Sequence, residues 1–543
     1  MPDEDRPAQD RPTDLAWGAF SDDPPWALEP DQLPWELVAP GERARLLHEL
    51  PELTRRRALP PGRRIGRTVR LLGGGVGRWY VGARRQGGVE SRADLARRLR
   101  RAAEGLGPTY IKLGQIVSSG QGIFPPELVD EFSHLRDRVP PERFAVVRAV
   151  VEEDLGRPLD EVFRHFERRP IAAASIAQVH AATLRTGEEV VVKVQRPSVD
   201  RRVRADLRVM AWIAPFLVGR IPVAALANPP ALVDLFAETI TEELDFRLEA
   251  DNMVAVARSF AQLGQRGYVI PRPHPTLVTR RVLVMERLRG FAFDDVAGMR
   301  GAGIDTEAVV RTGMIGFLEG CMFNGIFHGD LHGGNLLVLG DGRTGLLDFG
   351  ITGRLPEAQR LAFLRLLVGA SMNDVTTQLT ALRDLGALPP DADLPAIISE
   401  LGLDRPPVDP TSLSAEELTA EIQRVVRALL GYGARLPKPL MLFVKNLVFL
   451  DGAITLLAPD LDLLAEITDI ALYFTARHGE RIASEVGLAA GQWDLDLSGV
   501  KGSLGVEDAA AATITHRELR ERRQVISDRM ARRERRSRRA RRR

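Results

Sequence analysis

The sequence predicts an α+β chain that is bilobal and mostly α-helical, with a helical extension ahead of a small β-rich lobe and a larger helical lobe behind it. Three observations support this. Two β-branched runs, "EEVVVKVQRP" (188–197) and "RRVLVMERLRG" (280–290), have strand length, and the first follows the turn pair Thr186-Gly187. After residue 290 helices dominate, interrupted by "NLLVLGDGRTGLLDFG", in which an Asp-Gly turn joins two apolar strands. At 543 residues, 44% of them hydrophobic, the chain can build two or three packed lobes.

In chain order, residues 1–60 are rich in proline and acids, with Trp17, Trp26 and Trp35 between, and read as a disordered segment. Residues 61–165 form the helical extension. Its "LLGGGVG" (71–77) lacks the G-x-G-x-x-G spacing and no strand precedes it, so a turn between helices is expected. The β-rich lobe covers 166–290, with helical residues 231–260 between its two strand runs. The helical lobe covers 291–500. Prolines at 389–410 mark a surface loop in it, and Ser414 and Glu417 have capping-box spacing. The tail, 501–543, is rich in arginine.

The net charge of +1 conceals an asymmetry: residues 517–543 carry fourteen Arg against four acids, so the rest of the chain is net acidic. Such a tail suits an anionic membrane surface, and nucleic acid is not expected as a partner. One cysteine, Cys321, excludes an internal disulfide and a cysteine-based zinc site, and points to a reducing cytoplasm. The acidic start, "MPDEDRPAQD", lacks the apolar run of a leader, and no transmembrane helix is expected. Only five lysines (112, 193, 438, 445 and 501) accompany sixty-nine arginines. A lysine kept in such a chain is a candidate for a role that needs a compact ammonium rather than a planar fork.

The chemistry concentrates in "FHGDLHGGNLLVLGDGRTGLLDFG" (327–350). Asp330 precedes Asn335 by five residues, and Asp348 follows Asn335 by thirteen. Phosphoryl transfer needs one carboxylate to orient or deprotonate the acceptor, and an amide oxygen with a second carboxylate to hold Mg²⁺ on the nucleotide phosphates. His328 and His332 have i,i+4 spacing, but in a loop they suit hydrogen bonding better than zinc. Lys193 lies mid-strand between valines, where it would be costly without a partner. The kinase template gives it the phosphates and a helix carboxylate, and "ITEELDFRLEADN" (240–252) offers Glu243 for that role, with Glu249 six residues on. Where a glycine-rich loop would precede the lysine stands "IAAASIAQVH" (171–180), readable as a helix start or as a strand-flanked loop. Far upstream, Lys112, Gly114 and Gln115 form K-x-G-Q.

Together these pieces resemble the UbiB/ADCK family of atypical kinases, the aarF-domain proteins, over roughly residues 95–460. The marks occur in order: K-x-G-Q at Lys112–Gln115, the alanine-rich loop Ala172, Ala173, Ala174 and Ser175, Lys193, the E-x-D element Glu243-Leu244-Asp245, Glu249, Asp330 with Asn335, and Asp348. The resemblance implies a protein-kinase-like fold whose helical extension covers the active site. It implies Mg²⁺ and ATP as cofactors, ATPase activity, and a role in isoprenoid quinone or lipid metabolism. It places Met285, Glu286 and Leu288 with the alanine-rich loop on the nucleotide, makes Asp330, Lys193 and Glu243 catalytic, and gives the metal to Asn335 and Asp348. Lys112, Gln115 and Glu249 become regulatory, with Lys112 approaching the nucleotide site and pairing with Glu249.

Two departures qualify the match. The family reads H-A-D-x-H-P-G-N where this chain has "HGDLHGGN", closer to aminoglycoside-type phosphotransferases, and many members end in transmembrane helices rather than an Arg-rich tail. Gly329 also replaces the arginine that protein kinases place before the catalytic aspartate to grip a phosphorylated activation loop. Only "ITGRL" separates Gly350 from the next helical run near Pro356, with no A-P-E element, so the arginine has nothing to grip. The expectation is an active ATPase or atypical kinase without a platform for a protein substrate. A small-molecule phosphotransferase of the aminoglycoside or choline kinase type and a non-catalytic nucleotide-binding scaffold are the alternatives.

Overall fold

The computed structural model describes residues 19–22, 24–29, 33–55, 62, 64–82, 88–118, 125–135, 140–217, 229–403, 428, 431–434, 437–487, 513–521 and 524. The chain divides into two compact units. Unit 1 comprises Met1–Gly290, Gly334–Leu339 and Gly345–Thr352; unit 2 comprises Phe291–Gly333, Gly340–Thr344 and Gly353–Arg543. The fold is α+β and mostly helical.

In unit 1, helices α1 (Pro34–Thr54), α2 (Arg64–Thr68), α3 (Gly74–Val81), α4 (Gly88–Leu106), α5 (Pro108–Ser118), α6 (Pro126–Phe132), α7 (Phe144–Leu155) and α8 (Leu159–Val162) precede the sheet. Strands β1 (Phe163–Phe166), β2 (Ala172–Ala173), β3 (Ala177–Leu184) and β4 (Glu189–Gln195) follow. Then come α9 (Val199–Leu217), α10 (Pro229–Glu242), α11 (Phe246–Leu263), and strands β5 (Tyr268–Val269), β6 (Pro273–Val278) and β7 (Val282–Glu286). The six-stranded sheet runs β1-β3-β4-β7-β6 with β2 on β3.

The period-2 alternation of β4 sorts its side chains. Val190, Val192 and Val194 join Val147, Val150 and Val151 of α7 in one core. That alternation turns Val191, Lys193 and Gln195 to the opposite face, where Gln195 Nε2 donates to the Leu244 carbonyl at 2.9 Å, just ahead of α11. The sheet's two faces therefore divide its labour: one is core, the other carries Lys193.

Two expectations are corrected here. The segment 1–60, read as disordered, contains a 21-residue helix, α1. Trp35, Ala39, Leu46 and Leu53 of α1 are buried, and three of its four acids are ion-pair partners rather than part of a solvated run. Glu36 meets Arg258, Glu42 lies 3.2 Å from Arg247, Glu49 meets Arg204, and Arg43 lies 2.6 Å from Asp251. The Trp26 and Trp35 indoles each donate at 3.0 Å to carbonyls of β6, those of Pro273 and Pro275. Likewise "LLGGGVG" is not a turn: Val69–Gly73 forms a π-helical turn leading straight into α3.

The remaining strands are β8 (Phe291–Ala292), β9 (Ile326–His328), β10 (Leu336–Val338), β11 (Thr344–Leu346) and β12 (Thr352–Arg354). Strands β10 and β11 pair as a hairpin whose Asp341-Gly342 turn has Gly342 at φ +87, as the Asp-Gly signal predicts.

Unit 2 is built from α12 (Val296–Gly301), α13 (Thr306–Glu319), α14 (Glu357–Ser371), α15 (Val375–Asp384), α16 (Leu394–Leu401), α17 (Lys438–Leu457) and α18 (Leu463–Val486). Phe443 of α17 stacks on Phe317 at 5.3 Å and meets Phe363 edge-on at 4.5 Å, which centres the core on α17. This 20-residue helix is long and apolar enough to cross a membrane, with mean hydropathy 1.8, and 44% of that apolar stretch is buried within the protein. The expected Ser414–Glu417 cap, Lys501 and most of the Arg-rich tail lie outside the described residues.

Candidate active site

The Lys193 side chain points to the α11 face of the sheet, and its Nζ donates to both carboxylate oxygens of Glu249, at 2.7 and 2.9 Å. It also lies 3.2 Å from Asp348 Oδ2. Register fixes this lysine: Val179 is its partner on β3 and Leu283 its partner on β7. Burial alone would lower the ammonium's pKa, but Asp348 and Glu249 outweigh it and hold the group above its ordinary value. Glu249 is pushed up to about 7 by burial; Lys193 opposes the rise, and the Asp348 and Glu243 carboxylates add to it.

The second lysine takes the other glutamate: Lys112 Nζ of α5 lies 3.0 Å from Glu243 Oε1. This reverses the expected pairing, in which Glu243 served Lys193 and Glu249 served Lys112. Helix geometry gives the reason. Asp245 is the N-cap of α11, its side chain accepting from Arg247 N, so the helix begins at Phe246. Glu249 therefore stands one turn inside the helix that packs on the sheet, whereas Glu243 lies in the preceding turn. The aspartate of E-x-D is thus a cap. Gln115 follows Lys112 on α5, and Gly114 between them lets α5 lie against the segment that follows α6, because a Cβ there would lie 2.2 Å from Leu135 Cδ1.

The D-F-G element is fitted into this cluster. Gly350 N donates to Asp348 Oδ1 at 3.0 Å. A Cβ at Gly350 would stand 3.2 Å from both Asp348 Oδ1 and Glu243 Cγ, so glycine is what lets the turn lie against Glu243. Phe349 is fully buried, and its carbonyl accepts from Asn252 Nδ2 of α11 at 2.9 Å. Leu347 N donates to the Asn335 carbonyl at 3.0 Å, closing the hairpin base and bringing Asn335 beside the residue that precedes Asp348.

The alanine-rich loop resolves as a strand-flanked turn. Ala172 and Ala173 pair with Val179 and Gln178, Ala174 N donates to Ala177 O at 2.9 Å, and Ser175 is buried. The Arg196 guanidinium donates to Ala174 O at 2.9 Å, bracing the tip from β4's end. Met285 and Glu286 end β7, with the Glu286 carboxylate accepting from Arg272 N at 3.1 Å; Leu288 follows in the next loop.

In unit 2, Asp330 follows β9. Its backbone N donates to His328 Nδ1 at 3.2 Å, so His328 orders the loop as a hydrogen-bonding residue. Asp330 Oδ1 receives the Lys445 ammonium of α17. Beside it, Asn446 Nδ2 donates to the His328 carbonyl, and Asn446 Oδ1 accepts from Leu331 N at 3.1 Å. These two residues were not singled out from motifs; the scarcity of lysine was the signal that could have found Lys445. Past Gly350, α14 starts at Glu357, as the short spacing predicts.

A β-rich unit with a buried Lys–Glu pair beside a D-F-G aspartate is built as the protein-kinase-like class is. A family model described as the ABC1 atypical kinase-like domain matches residues 134–381. An uncharacterised Mycobacterium tuberculosis protein is 38% identical over 372 residues, covering 66% of this chain and 74% of that one. An uncharacterised chloroplastic aarF domain-containing protein kinase of Arabidopsis thaliana is 34% identical, covering 68% and 73%. The probable protein kinase UbiB of Sodalis glossinidius is 30% identical, covering 68% of each chain. The chain belongs to the ABC1 atypical kinase-like family, the aarF-domain group that includes UbiB.

Proposed function

We propose that the chain is an atypical kinase or ATPase that uses Mg²⁺–ATP and serves isoprenoid quinone or lipid metabolism at the inner, anionic face of a membrane. The observation that carries nucleotide use is the buried Lys193–Glu249 pair beside the half-exposed Asp348 carboxylate. A lysine held charged in this way is suited to phosphate oxygens. Asn335 and Asp348 supply an amide and a carboxylate, the hard oxygen donors that Mg²⁺ takes when substrate phosphates complete its shell. Bound there, the ion would neutralise charge on the transferring phosphoryl group. The alanine-rich turn would cover the phosphates, and Met285, Glu286 and Leu288 would face the base.

In this reading Asp330 takes the acceptor's proton. The acceptor oxygen bonds to the γ-phosphorus, the bond from that phosphorus to the ADP oxygen breaks, and ADP leaves. With water as acceptor, the products are ADP and phosphate. Six residues between Gly350 and α14 leave little to dock a protein substrate, which favours a small or lipid acceptor. The "HGDLHGGN" loop favours a second reading, a soluble phosphotransferase of the aminoglycoside type. The Lys112–Glu243 pair speaks for the first, because it ties the K-x-G-Q helix to the turn before α11.

Nucleotide-induced thermal stabilisation and ATP turnover of the purified chain test the core of this. Asp348→Asn should lose the Mg²⁺-dependent stabilisation, whereas Asp330→Asn should keep it and lose turnover by about 100-fold or more. Normal Mg²⁺–nucleotide binding by Asp348→Asn would show the metal assignment to be wrong. Anionic liposomes carrying a quinone-precursor mimic should raise turnover, and indifference to them rejects the lipid part. For the tail, Arg517 is already engaged, 2.8 Å from Asp460, so the chain is cut after Gln524, removing ten Arg and two acids. Each basic residue near an anionic surface contributes about 1 kcal/mol, so co-sedimentation with liposomes should fall sharply.

A further inference from the structure

We infer that Lys445 of α17 is a positioning residue for the transfer step, fixing the Asp330 carboxylate from a helix more than a hundred residues downstream of the loop that carries it. The inference rests on the reading of Asp330 as the group that takes the acceptor's proton.

Four observations converge. The Lys445 ammonium meets Asp330 Oδ1, and the two side chains are 16% and 15% exposed, so the pair is shielded from bulk water without being sealed from a substrate. The next residue, Asn446, is fully buried and holds the backbone on both sides of Asp330, donating to His328 O and accepting from Leu331 N. An amide that bridges the residues flanking an aspartate, next to a lysine on its carboxylate, leaves the loop little freedom to re-aim that carboxylate. The loop itself, "HGDLHGGN", contains neither lysine nor arginine, and Gly329 stands where protein kinases have arginine. Finally, this chain uses arginine almost everywhere else, yet keeps lysine here. A guanidinium would favour a bidentate grip on both carboxylate oxygens, whereas the Lys445 ammonium is a compact point charge that meets Asp330 through Oδ1.

A purely structural ion pair predicts that loss of Lys445 lowers the melting temperature and nothing else. The positioning role predicts an effect on turnover at constant nucleotide affinity. The full-length chain is compared as wild type, Lys445→Gln, Lys445→Arg and Asp330→Asn, measuring melting temperature, nucleotide-induced stabilisation, and kcat and KM for ATP. Lys445→Gln should lower kcat by about 10-fold or more with KM within twofold of wild type, and Lys445→Arg should recover part of that loss. Wild-type kcat in Lys445→Gln, while Asp330→Asn is inactive, overturns the role of Lys445 and leaves the reading of Asp330 standing. Wild-type turnover in Asp330→Asn overturns both. Should Lys445→Gln fail to fold, Lys445→Arg decides: the charge persists but the fork closes over the carboxylate, so kcat must still fall below wild type, and an unchanged kcat rejects the inference.

Discussion

Lys112 and Lys193 each have a glutamate of their own, and the order of pairing decides what each lysine can do. Glu249 holds the strand lysine in the sheet, so its protonation is tied to the assembly of the proposed nucleotide site. Its carboxyl rises from 4.5 to about 7 on folding, mainly through burial. Between those values the folded chain keeps a proton that the unfolded chain has released, so stability falls as pH rises through that window. Glu249→Gln should remove this dependence. The unfolding free energy of wild type minus that of the variant should drop by on the order of 3 kcal/mol between pH 4.5 and 7, read from urea melts. A difference that stays constant with pH rejects the assignment. Lys193 does not contribute in this range, because its raised pKa affects stability only in alkali.

At the scale of elements, α11 is held along its length by α1. Three acids of α1 and one arginine meet partners on α9 and α11, and Ala39 and Leu46 pack against Leu248, one residue before Glu249. Removing Trp35, 2% exposed and bonded to β6, should cost about 3–5 kcal/mol in unit 1. It should also weaken nucleotide-induced stabilisation beyond the loss in the apo chain, since α11 carries Glu249. Equal melting temperatures for Trp35→Ala and wild type would show that α1 is not a structural partner. This helix was not legible in the sequence because Pro40 and Pro51 lie inside it and its acids resemble a solvated run; its stability comes from tertiary contacts. The β4 lysine, the Asp-Gly hairpin and the short link to α14 were legible, because period, turn chemistry and spacing are local signals. The pairing of Glu243 and Glu249 was not: it depends on where α11 begins, which the cap at Asp245 sets.

At the scale of the whole molecule, the few amines of the chain fall where they can be told apart. Lys112 and Lys193 belong to unit 1 and Lys445 to unit 2, each against a carboxylate. Acylating reagents attack only unprotonated, accessible amines, so Lys193, buried and held protonated, should be modified several-fold more slowly than the less buried Lys438, followed by peptide mass spectrometry. Comparable rates at the two sites would show that the Lys193 pair opens readily in the native chain. Sparse lysine thus becomes a built-in set of reporters. Acylation rates at Lys193 and Lys445, followed across a denaturant series, read the opening of each unit separately and show whether the two come apart at one concentration or at two.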